Sequence, residues 1–524
     1  MTAARTYGYV RAFIVCMLTA GRLLAQDAAP RHEFRAAWIA TVDNIDWPSR
    51  KGLPADSQKA EFIRMLDMHR ENGMNAIIMQ IRPAADAFYP SPYEPWSEWL
   101  TGIQGTPPKP YYDPLAFMIE ETHKRGMEFH AWCNPYRAQF NIAKSSIAPT
   151  HITRMRPDWF LVYGDKRYFD PGNPEVQDFV TRVVSDIVRR YPIDAIHFDD
   201  YFYPYRIPGK AFPDSAGYQK YNGPLGLDDW RRSNVDSIIH KLFRAIRREN
   251  PQCRFGISPF GVWRNQDKDP RGSATRAGQT NYDDLYADIL LWLQKGWIDY
   301  VAPQLYWEFS HPNAPFQPLL DWWSRNSYGK ACYIGLGYYK AGINATWRDR
   351  TLIPRQLAAI RQTPNVHGAV YFSSKSFQGN PLGWNDSLKS NYYKYPALIP
   401  AMPWIPGDRP PTPRILAVTQ TDKRTLTCRL VPGSRPGEPI RLLAVYRQTD
   451  GFPGSPKAIL VQTVPFRDTL EVIVDLPEDA RQNLVYFTYV SHTNTESNPA
   501  AAPQSRMVIR KEKDGAWQWE IAAD

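Results

Sequence analysis

The stretch Asp194-Ala-Ile-His-Phe-Asp-Asp-Tyr-Phe-Tyr-Pro204 runs a short apolar strand directly into two adjacent carboxylates that are followed by aromatic residues. Side chains alternate between the two faces of a strand, so His197 and Asp199 share one face and the apolar side chains share the other. Asp200 then lies at the exit of the strand. The segment therefore predicts one face that packs and one that is available for chemistry.

The same unit, a short apolar strand followed by a helical stretch, recurs from residue 33 to about 395. Eight strands are predicted, at residues 35–41, 76–82, 128–134, 195–200, 254–259, 299–304, 331–337 and 368–373. Helices are predicted at residues 56–72, 114–125, 175–190, 228–250, 282–295 and 353–362. Eight alternating units indicate an α/β fold of the (β/α)8 TIM barrel type over residues 32–395.

The N-terminus has the pattern of a cleavable secretory signal at residues 1–25. Early arginines precede an apolar run from Ala12 to Leu18, and small residues follow before Gln26. Cys16 raises lipid attachment as a less favoured alternative. The apolar run is too short to span a bilayer and no later run reaches about 18 apolar residues, so we expect a periplasmic or secreted protein without a membrane span.

The residue pattern changes twice after the predicted barrel. Residues 395–413 contain seven prolines, so the segment 396–413 is predicted to be a semi-rigid linker. Seven short β-like runs within residues 414–510 predict a fibronectin type III-like or immunoglobulin-like sandwich. Residues 511–524 are predicted to form a tail. The sandwich could be a spacer, a wall-binding module or a domain that packs on the barrel.

Composition excludes several classes of partner. The net charge is +10, and removal of the predicted signal takes away three arginines and no acid, but no concentrated Lys/Arg run favours nucleic-acid binding. The cysteines are widely spaced without a CxxC pattern, which argues against a disulfide framework or a zinc site. No HxH or HExxH motif occurs, so no metal and no cofactor is predicted.

Three carboxylates are candidates for catalysis. Hydrolysis of a glycosidic bond needs one carboxylic acid to protonate the leaving oxygen and a second group to stabilise or attack the oxocarbenium-like centre. Asp199 is the first candidate, Asp200 the second, and Glu308, beyond the sixth strand, the third. The structural alternatives are an ion pair of Asp199 with Arg82 or Arg137, a capping role for Asp200, and a solvated loop position for Glu308.

Polar and aromatic side chains collect at the carboxyl ends of the strands, which is the face that holds the sites of barrel enzymes. Aromatic faces stack on sugar rings, so a cleft rich in tryptophan fits a glycan. The long insertions 89–113 and 134–173 are predicted to form its walls. For His197, a buried hydrogen-bonded role is favoured over metal ligation. The candidates for substrate binding are Gln80, Arg82, Trp132, Asn134, Tyr136, Arg137, His197, Tyr201, Ser258, Trp263, Gln304, Tyr306 and Trp307.

Blocks of sequence within residues 33–395 resemble glycoside-hydrolase-like family 10, a family typified by exported bacterial barrel proteins. Its members include an enzyme that cleaves peptidoglycan glycan strands already stripped of their peptides, so the resemblance implies such a strand as the first substrate to test. The blocks are Phe34-Arg-Ala-Ala-Trp38, Gln80-Ile-Arg-Pro83, His130-Ala-Trp-Cys-Asn-Pro-Tyr-Arg137, Phe169-Asp-Pro-Gly-Asn-Pro174, Ile196-His-Phe-Asp-Asp-Tyr-Phe-Tyr-Pro204, Gly256-Ile-Ser-Pro-Phe-Gly261 and Ala302-Pro-Gln-Leu-Tyr-Trp307.

The fourth-strand block is also similar to the family 18 chitinase motif Asp-Gly-x-Asp-x-Asp-x-Glu. Asp194 and Asp199 match its first and third acids, but His197 replaces the second acid and Tyr201 replaces the catalytic Glu. Substrate-assisted catalysis through that Glu therefore cannot be carried over to this chain.

Together these patterns predict an exported glycoside hydrolase that acts on a bacterial cell-wall glycan. The alternatives are a catalytically silent glycan-binding protein and a hydrolase of an imported polysaccharide. The sequence leaves open the oligomeric state and whether the sugar configuration is retained or inverted, since the latter depends on the distance between two carboxylates.

Overall fold

The computed structural model describes residues 29–432, 439–448, 453, 455, 457–467, 470–475, 482–499, 503–512 and 516–522. The predicted secretory signal, residues 1–25, lies outside them. Within this described part of the chain, no helix has the length and apolar character needed to cross a membrane.

The first and larger domain is a barrel of parallel strands. Its strands are Phe34–Ile39, Ala76–Arg82, Glu128–Cys133, Ala195–Phe198, Arg254–Ile257, Tyr300–Val301, Ala331–Cys332 with Ile334–Leu336, and Gly368–Tyr371. The seventh strand is interrupted at Tyr333: its first half pairs with Tyr300–Val301 and its second half with Gly368–Tyr371. This split strand closes the ring, and the (β/α)8 prediction is confirmed.

Helices surround the barrel, as the alternating sequence predicts. The longer ones are Ala55–Glu71, Pro114–Lys124, Pro174–Arg190, Leu227–Glu249, Phe316–Arg325 and Leu352–Gln362. Shorter helices lie at Glu98–Thr101, Ile152–Met155, Ser215–Tyr221, Asn281–Asp284, Ile289–Gln294 and Trp384–Ser387. A small antiparallel sheet of Arg137–Gln139, Phe160–Tyr163 and Lys166–Phe169 stands in the insertion after the third strand.

One predicted helix, at residues 282–295, is wrong as a continuous element. The chain forms Asn281–Asp284, then a turn, then Ile289–Gln294. Tyr286 in the turn has a left-handed backbone (φ 52°), and its hydroxyl oxygen accepts a hydrogen bond of 2.7 Å from Arg231. This tertiary contact with the neighbouring helix accompanies a break that local helix propensity does not predict.

Side-chain alternation separates two cores. In the second strand Ile77, Met79 and Ile81 pack against the helices, whereas Ile78 points into the barrel lumen. The lumen also holds Phe34, Trp38, Tyr300 and Tyr333 among its large side chains. A barrel interior of this kind is a packed core rather than a pore.

The proline-rich segment is more than a connection. Ile399, Met402 and Ile405 are buried in the same cluster as the lumen residues, and the Trp404 indole donates a hydrogen bond of 2.9 Å to Asp299, just before the sixth strand. Residues of the predicted linker therefore cover the amino-terminal end of the barrel, called here its lower end. The opposite, carboxyl-terminal end is the upper end.

In the described residues of the C-terminal domain, the strands form two antiparallel sheets of three and five strands. Its strands are Pro413–Asp422, Thr425–Pro432, Ile440–Gln448, Ile459–Pro465, Leu470–Asp475, Gln482–Ser491, Arg506–Lys511 and Trp517–Ile521. The predicted tail is corrected here: Trp517–Ile521 pairs with Arg506–Lys511, because Trp517 buries its ring in the core of the sandwich.

Candidate active site

A cavity of about 290 Å³ opens at the upper end of the barrel. Every one of the eight strands, or the loop after it, contributes to its wall. The lining residues are Trp38, Ala40, Val42, Ile45, Gln80, Trp132, Arg137, Asp199, Asp200, Tyr201, Tyr205, Ser258, Gln304, Tyr306, Tyr339 and Phe372. We call this space the upper pocket. It combines two adjacent acids with several aromatic faces.

Asp199 is surrounded by hydrogen-bond donors. Its carboxylate accepts bonds from the Trp132 indole at 3.1 Å and from the Asn134 amide at 3.0 and 3.2 Å. The side-chain oxygen of Asn134, Oδ1, accepts a hydrogen bond of 2.8 Å from the backbone N–H of Arg137. The NH2 group of the same side chain must therefore face Asp199. Burial raises the pKa of Asp199, while the Arg137 charge and these two donors oppose that rise.

Asp200 has a different environment although it is the next residue. The Tyr205 hydroxyl donates a bond of 2.5 Å to its carboxylate. Burial raises the pKa of Asp200 to about 7; the Tyr205 and Gln304 hydrogen bonds act against this rise, and the negative charge of Asp199 adds to it. The largest influences on its pKa include no cation.

The two acids are therefore unequal. A carboxylate that receives several donors and faces an arginine favours its ionised form, whereas a buried acid beside another negative charge favours its protonated form. Pairs of titratable groups whose environments differ in this way mark the acid and the carboxylate of a catalytic site. At neutral pH this arrangement can supply one proton and one negative charge to the same small space.

Gln80 provides a further polar group with a fixed orientation. Its side-chain oxygen accepts from the backbone N–H groups of Thr41 and Val42 at 3.0 and 2.9 Å. Its buried NH2 group has no hydrogen-bond partner among the described residues. Since Gln80 lines the upper pocket, this amide can donate to a bound ligand.

Of the sequence-predicted residues, nine line the upper pocket together. They are Gln80, Trp132, Arg137, Asp199, Asp200, Tyr201, Ser258, Gln304 and Tyr306. Asn134 and His197 lie behind this wall. Asn134 orients Asp199, and the buried His197 ring bonds to Trp38, Ser258 and Tyr300.

The structure places five other candidates away from the upper pocket. Arg82 forms a buried ion pair with Glu94, and Tyr136 is buried in the core outside the strands. Trp263 stacks on Trp322 with ring centroids 5.9 Å apart, and Trp307 packs on Phe260. Glu308 accepts a bond of 3.1 Å from the Trp347 indole. A register shift between Gln80 and Arg82 interrupts the alternation of the second strand. The other four residues follow the strands and pack among loops and helices, which alternation along a strand does not describe.

The tryptophan-rich cleft expected from composition is also corrected. Trp47, Trp99, Trp263 and Trp347 are buried in the core between strands and helices. The insertion 89–113 contributes no residue to the pocket wall, whereas the insertion 134–173 contributes Arg137. The aromatic faces at the pocket come instead mainly from tyrosines.

Sequence reasoning missed Trp38, Tyr205, Tyr339 and Phe372. Trp38 follows Phe34 and Ala36 on the lumen face of the first strand, so strand alternation could have found it. Tyr205 closes the aromatic run after the fourth strand and was within reach of the same argument. Phe372 follows Val370 on the lumen face of the last strand, so alternation could have found it as well. Tyr339 follows the seventh strand, and no local pattern distinguishes it.

The described residues also bear on whether the protein could bind a metal ion. Among the residues that the structure describes, no group of three or more His, Cys, Asp or Glu side chains is placed to hold a metal ion. The cysteines Cys133, Cys253, Cys332 and Cys428 are buried and free of disulfides.

A larger crevice of about 780 Å³ lies elsewhere, between the helix Pro114–Lys124 and the sandwich. Its wall includes Tyr191, Arg441 and Phe466. It contains neither Asp199 nor Asp200 and lies away from the strand ends. The smaller upper pocket is therefore the candidate active site, because chemistry in a barrel of this kind occurs at the carboxyl ends of the strands.

Comparison with known proteins relates the chain to glycosyl hydrolases. The sequence model described as glycosyl hydrolase-like 10 matches residues 33–350. Glycosyl hydrolase YngK of Bacillus subtilis (strain 168) is 45% identical over 485 residues, which cover 91% of this chain and 93% of that protein. Glycosyl hydrolase DigH of Escherichia coli (strain K12) is 39% identical over 364 residues, which cover 64% of this chain and 82% of that protein.

Among solved structures, the PgaB (BpsB) glycoside hydrolase domain from Bordetella bronchiseptica is 12% identical with a TM-score of 0.42. The match covers 69% of this chain and 99% of that domain. A likeness at this level supports no argument about the site.

Proposed function

The chain belongs to the glycosyl hydrolase-like 10 family and is a glycoside hydrolase, and from this premise we propose that it cleaves a bacterial cell-wall glycan outside the cytoplasm. Peptide-free peptidoglycan strands are the proposed substrate. The secretory pattern of residues 1–25 supports the location, and the resemblance of the strand-end blocks supports the substrate.

The observation that carries this proposal is the unequal pair Asp199 and Asp200 in one aromatic pocket. Asp200, with its pKa raised to about 7, retains its proton near neutral pH and can donate it to the glycosidic oxygen. Asp199, held by the donors of Trp132 and Asn134, supplies negative charge to the sugar cation that develops as the bond breaks.

The size of the upper pocket supports a bare glycan strand. Its volume of about 290 Å³ is at the lower end of the range for small-ligand sites, so it accommodates little more than a sugar unit. Trp38, Tyr306 and Phe372 close around this space. A peptide stem on the bound sugar would need room in the same small cavity or at its mouth.

The test compares glycan strands before and after removal of their peptides, with products identified by mass spectrometry. We expect the wild-type enzyme to release fragments only from the peptide-free strands, and Asp199→Asn and Asp200→Asn to release almost none. Glu308→Gln is the matched control, because Glu308 lies outside the upper pocket and should retain near wild-type turnover.

Each result decides a separate point. No cleavage of either strand by the folded wild-type protein would overturn the proposed substrate. Full activity of Asp199→Asn with normal folding would overturn its role. The anomeric configuration of the first product, read by NMR, shows whether Asp199 attacks the sugar with retention or assists a water with inversion.

The pH profile tests the assignment of the proton donor. The pKa of Asp200 is raised to about 7, so its proton is lost as the pH rises through that value. We expect kcat/KM to fall on the alkaline side of about pH 7, since this parameter reports groups of the free enzyme. A profile that stays flat into the alkaline range would remove Asp200 as the donor.

A further inference from the structure

A continuous chain of hydrogen bonds runs through the barrel lumen beneath the upper pocket. The Trp38 indole nitrogen lies 3.2 Å from His197 Nε2, and His197 Nδ1 lies 2.9 Å from the Tyr300 hydroxyl. The same hydroxyl lies 2.9 Å from His130 Nδ1, and His130 Nε2 lies 3.0 Å from the Glu128 carboxylate. We call these five residues the lumen column. It connects the pocket wall to the lower end of the barrel.

The two ends of the lumen column determine the direction of every bond in it. An indole N–H only donates, so His197 Nε2 must accept and its proton must be on Nδ1. His197 therefore donates to the Tyr300 oxygen, and Tyr300 donates its own proton to His130 Nδ1. His130 then carries its proton on Nε2 and donates to Glu128, which as a carboxylate only accepts.

This assignment makes both histidines neutral and gives them opposite tautomers. Burial lowers the pKa of His197 well below its usual range and also lowers that of His130, which agrees with two uncharged rings. The ionised state of Glu128 has its own support. Burial acts to raise the pKa of Glu128, but the adjacent Arg254 and the bond from His130 lower it to about 2.

Strand register brings the column together. His197 and Tyr300 are each paired with Gly256, on the strand that lies between them. A Cβ atom on Gly256 would lie only 1.9 Å from Cζ of Tyr300. The absence of a side chain at Gly256 is what allows the Tyr300 ring to pass across the intervening strand and reach His197.

We infer that the lumen column positions Trp38 and Ser258 as fixed walls of the upper pocket, with Tyr300 and His130 acting through His197. Trp38 and Ser258 both line the pocket, and both contact His197 Nε2, at 3.2 and 2.9 Å. His197 Nε2 can share its single lone pair between these two donors only while its proton stays on Nδ1, where it is donated to Tyr300. The role as a glycan wall rests on the proposed function; the bond directions do not.

The lower end of the column is completed by the sandwich. Asn494 donates a bond of 2.8 Å to Glu128, and its carbonyl oxygen accepts from Arg441 at 2.5 Å, so its NH2 group must face Glu128. Arg254 holds the same carboxylate oxygen at 2.9 Å. The acceptor that sets the direction of the column is thus held jointly by the two domains.

The direct test is long-range proton–nitrogen NMR on protein labelled with ¹⁵N-histidine, near neutral pH and without substrate. We expect one neutral ring protonated on Nδ1 that disappears in His197→Gln, and one neutral ring protonated on Nε2 that disappears in His130→Gln. A His197 ring that carries its proton on Nε2, or that is charged, would overturn the inference. This measurement needs no turnover, so it stands or falls apart from the proposed function.

Kinetics test the positioning role with a matched pair of variants. Tyr300→Phe removes the central hydroxyl of the column, whereas Tyr333→Phe removes a buried lumen hydroxyl that has no hydrogen-bond partner among the described residues. We expect Tyr300→Phe to raise KM roughly threefold to tenfold with kcat within about twofold, as a loss of uniform binding does. Tyr333→Phe should change neither parameter.

A double-mutant cycle identifies the route of this effect. If Tyr300 acts through Trp38, Trp38→Phe combined with Tyr300→Phe should raise KM by clearly less than the product of the two single effects. Multiplication of the single effects, or equal kinetics for Tyr300→Phe and Tyr333→Phe, would contradict the positioning role. A purely structural fault would lower thermal stability without this coupling.

Discussion

Asp200 at the upper end of the barrel and Glu128 at the lower end are both buried acids, yet their pKa values move in opposite directions. Burial raises the pKa of Asp200 to about 7, and the negative charge of Asp199 adds to this. Burial acts in the same sense on Glu128, but Arg254 and His130 outweigh it and lower its pKa to about 2. Both side chains lie in the same fold, at opposite ends of its strands.

The difference lies in the partners rather than in the burial. The lower end surrounds its acids with cations: Arg254 binds Glu128 at 2.9 Å, and His123 binds Asp194 at 2.8 Å. At the upper end, Asp200 has the hydrogen bonds of Tyr205 and Gln304 and a neighbouring acid, Asp199. Compensated acids stabilise the fold, whereas an uncompensated acid keeps a proton that can be transferred.

The largest expected effect is the loss of turnover in Asp200→Asn. An amide cannot donate a proton to a leaving oxygen, so we expect kcat on peptide-free strands to fall by about a thousandfold. Asp236→Asn is the matched control, because burial raises the pKa of Asp236 to about 7 as well, but this residue lies on a helix and binds Trp292. Normal turnover by Asp200→Asn would show that Asp200 is not the proton donor, so the upper end would no longer differ from the lower end in this respect.

Glu128→Gln tests the compensated end. The substitution removes the negative charge beside Arg254 and places an NH2 group against donors from Asn494, Arg254 and His130. We expect a loss of about 3 kcal/mol in the free energy of unfolding, measured by urea denaturation at neutral pH. Glu120→Gln on an exposed helix surface should change it by less than about 0.5 kcal/mol. Equal stability of Glu128→Gln and Glu120→Gln would show that the buried ion pair of Glu128 with Arg254 does not stabilise the fold.

The pH dependence of stability should differ in sign between the two ends. Asp200 binds its proton more tightly in the folded state, so its contribution is complete below its ordinary pKa and is lost as the pH rises to about 7. The contribution of Glu128 is present above its ordinary pKa and is lost as the pH falls toward about 2.

Thermal unfolding of Asp200→Asn checks this sign. Relative to wild type, the variant should gain stability between about pH 4 and about pH 7 and keep that gain at higher pH, because it no longer buries a charge. Asp236→Asn should behave similarly in stability without the loss of turnover. A difference in Tm that is constant across this range would contradict the raised pKa of Asp200.

The smallest expected effect concerns the contact between the domains. Asn494→Gly removes the donor to Glu128 while remaining compatible with the left-handed backbone at this position, φ 64°. We expect a loss of about 1 kcal/mol in the free energy of unfolding. Asn365→Gly, at φ 59° and with only a 3.4 Å bond to Ser324, is the control and should lose less. A larger loss of stability in Asn365→Gly than in Asn494→Gly would contradict a stabilising role for the Asn494–Glu128 bond between the two domains.

Strand alternation predicted much of the upper pocket. Trp132, Asp199, Ser258 and Gln304 were placed by periodicity and by the rule that barrel sites lie at the carboxyl ends of strands, and all four line the cavity. Periodicity did not reach Tyr339, and it offered no reason to remove Glu308. These positions lie on loops whose paths depend on packing against distant segments.

By itself, the sequence determined the barrel, the adjacent acids at the end of its fourth strand and the aromatic run behind them, because these follow from local periodicity and strand order. Only the tertiary structure decided that Asp199 meets Trp132 and Asn134 while Asp200 meets Tyr205, and that Tyr300 crosses Gly256 to reach His197. Proton affinity depends on which groups surround a buried acid, and those groups come from strands and loops far apart in the chain.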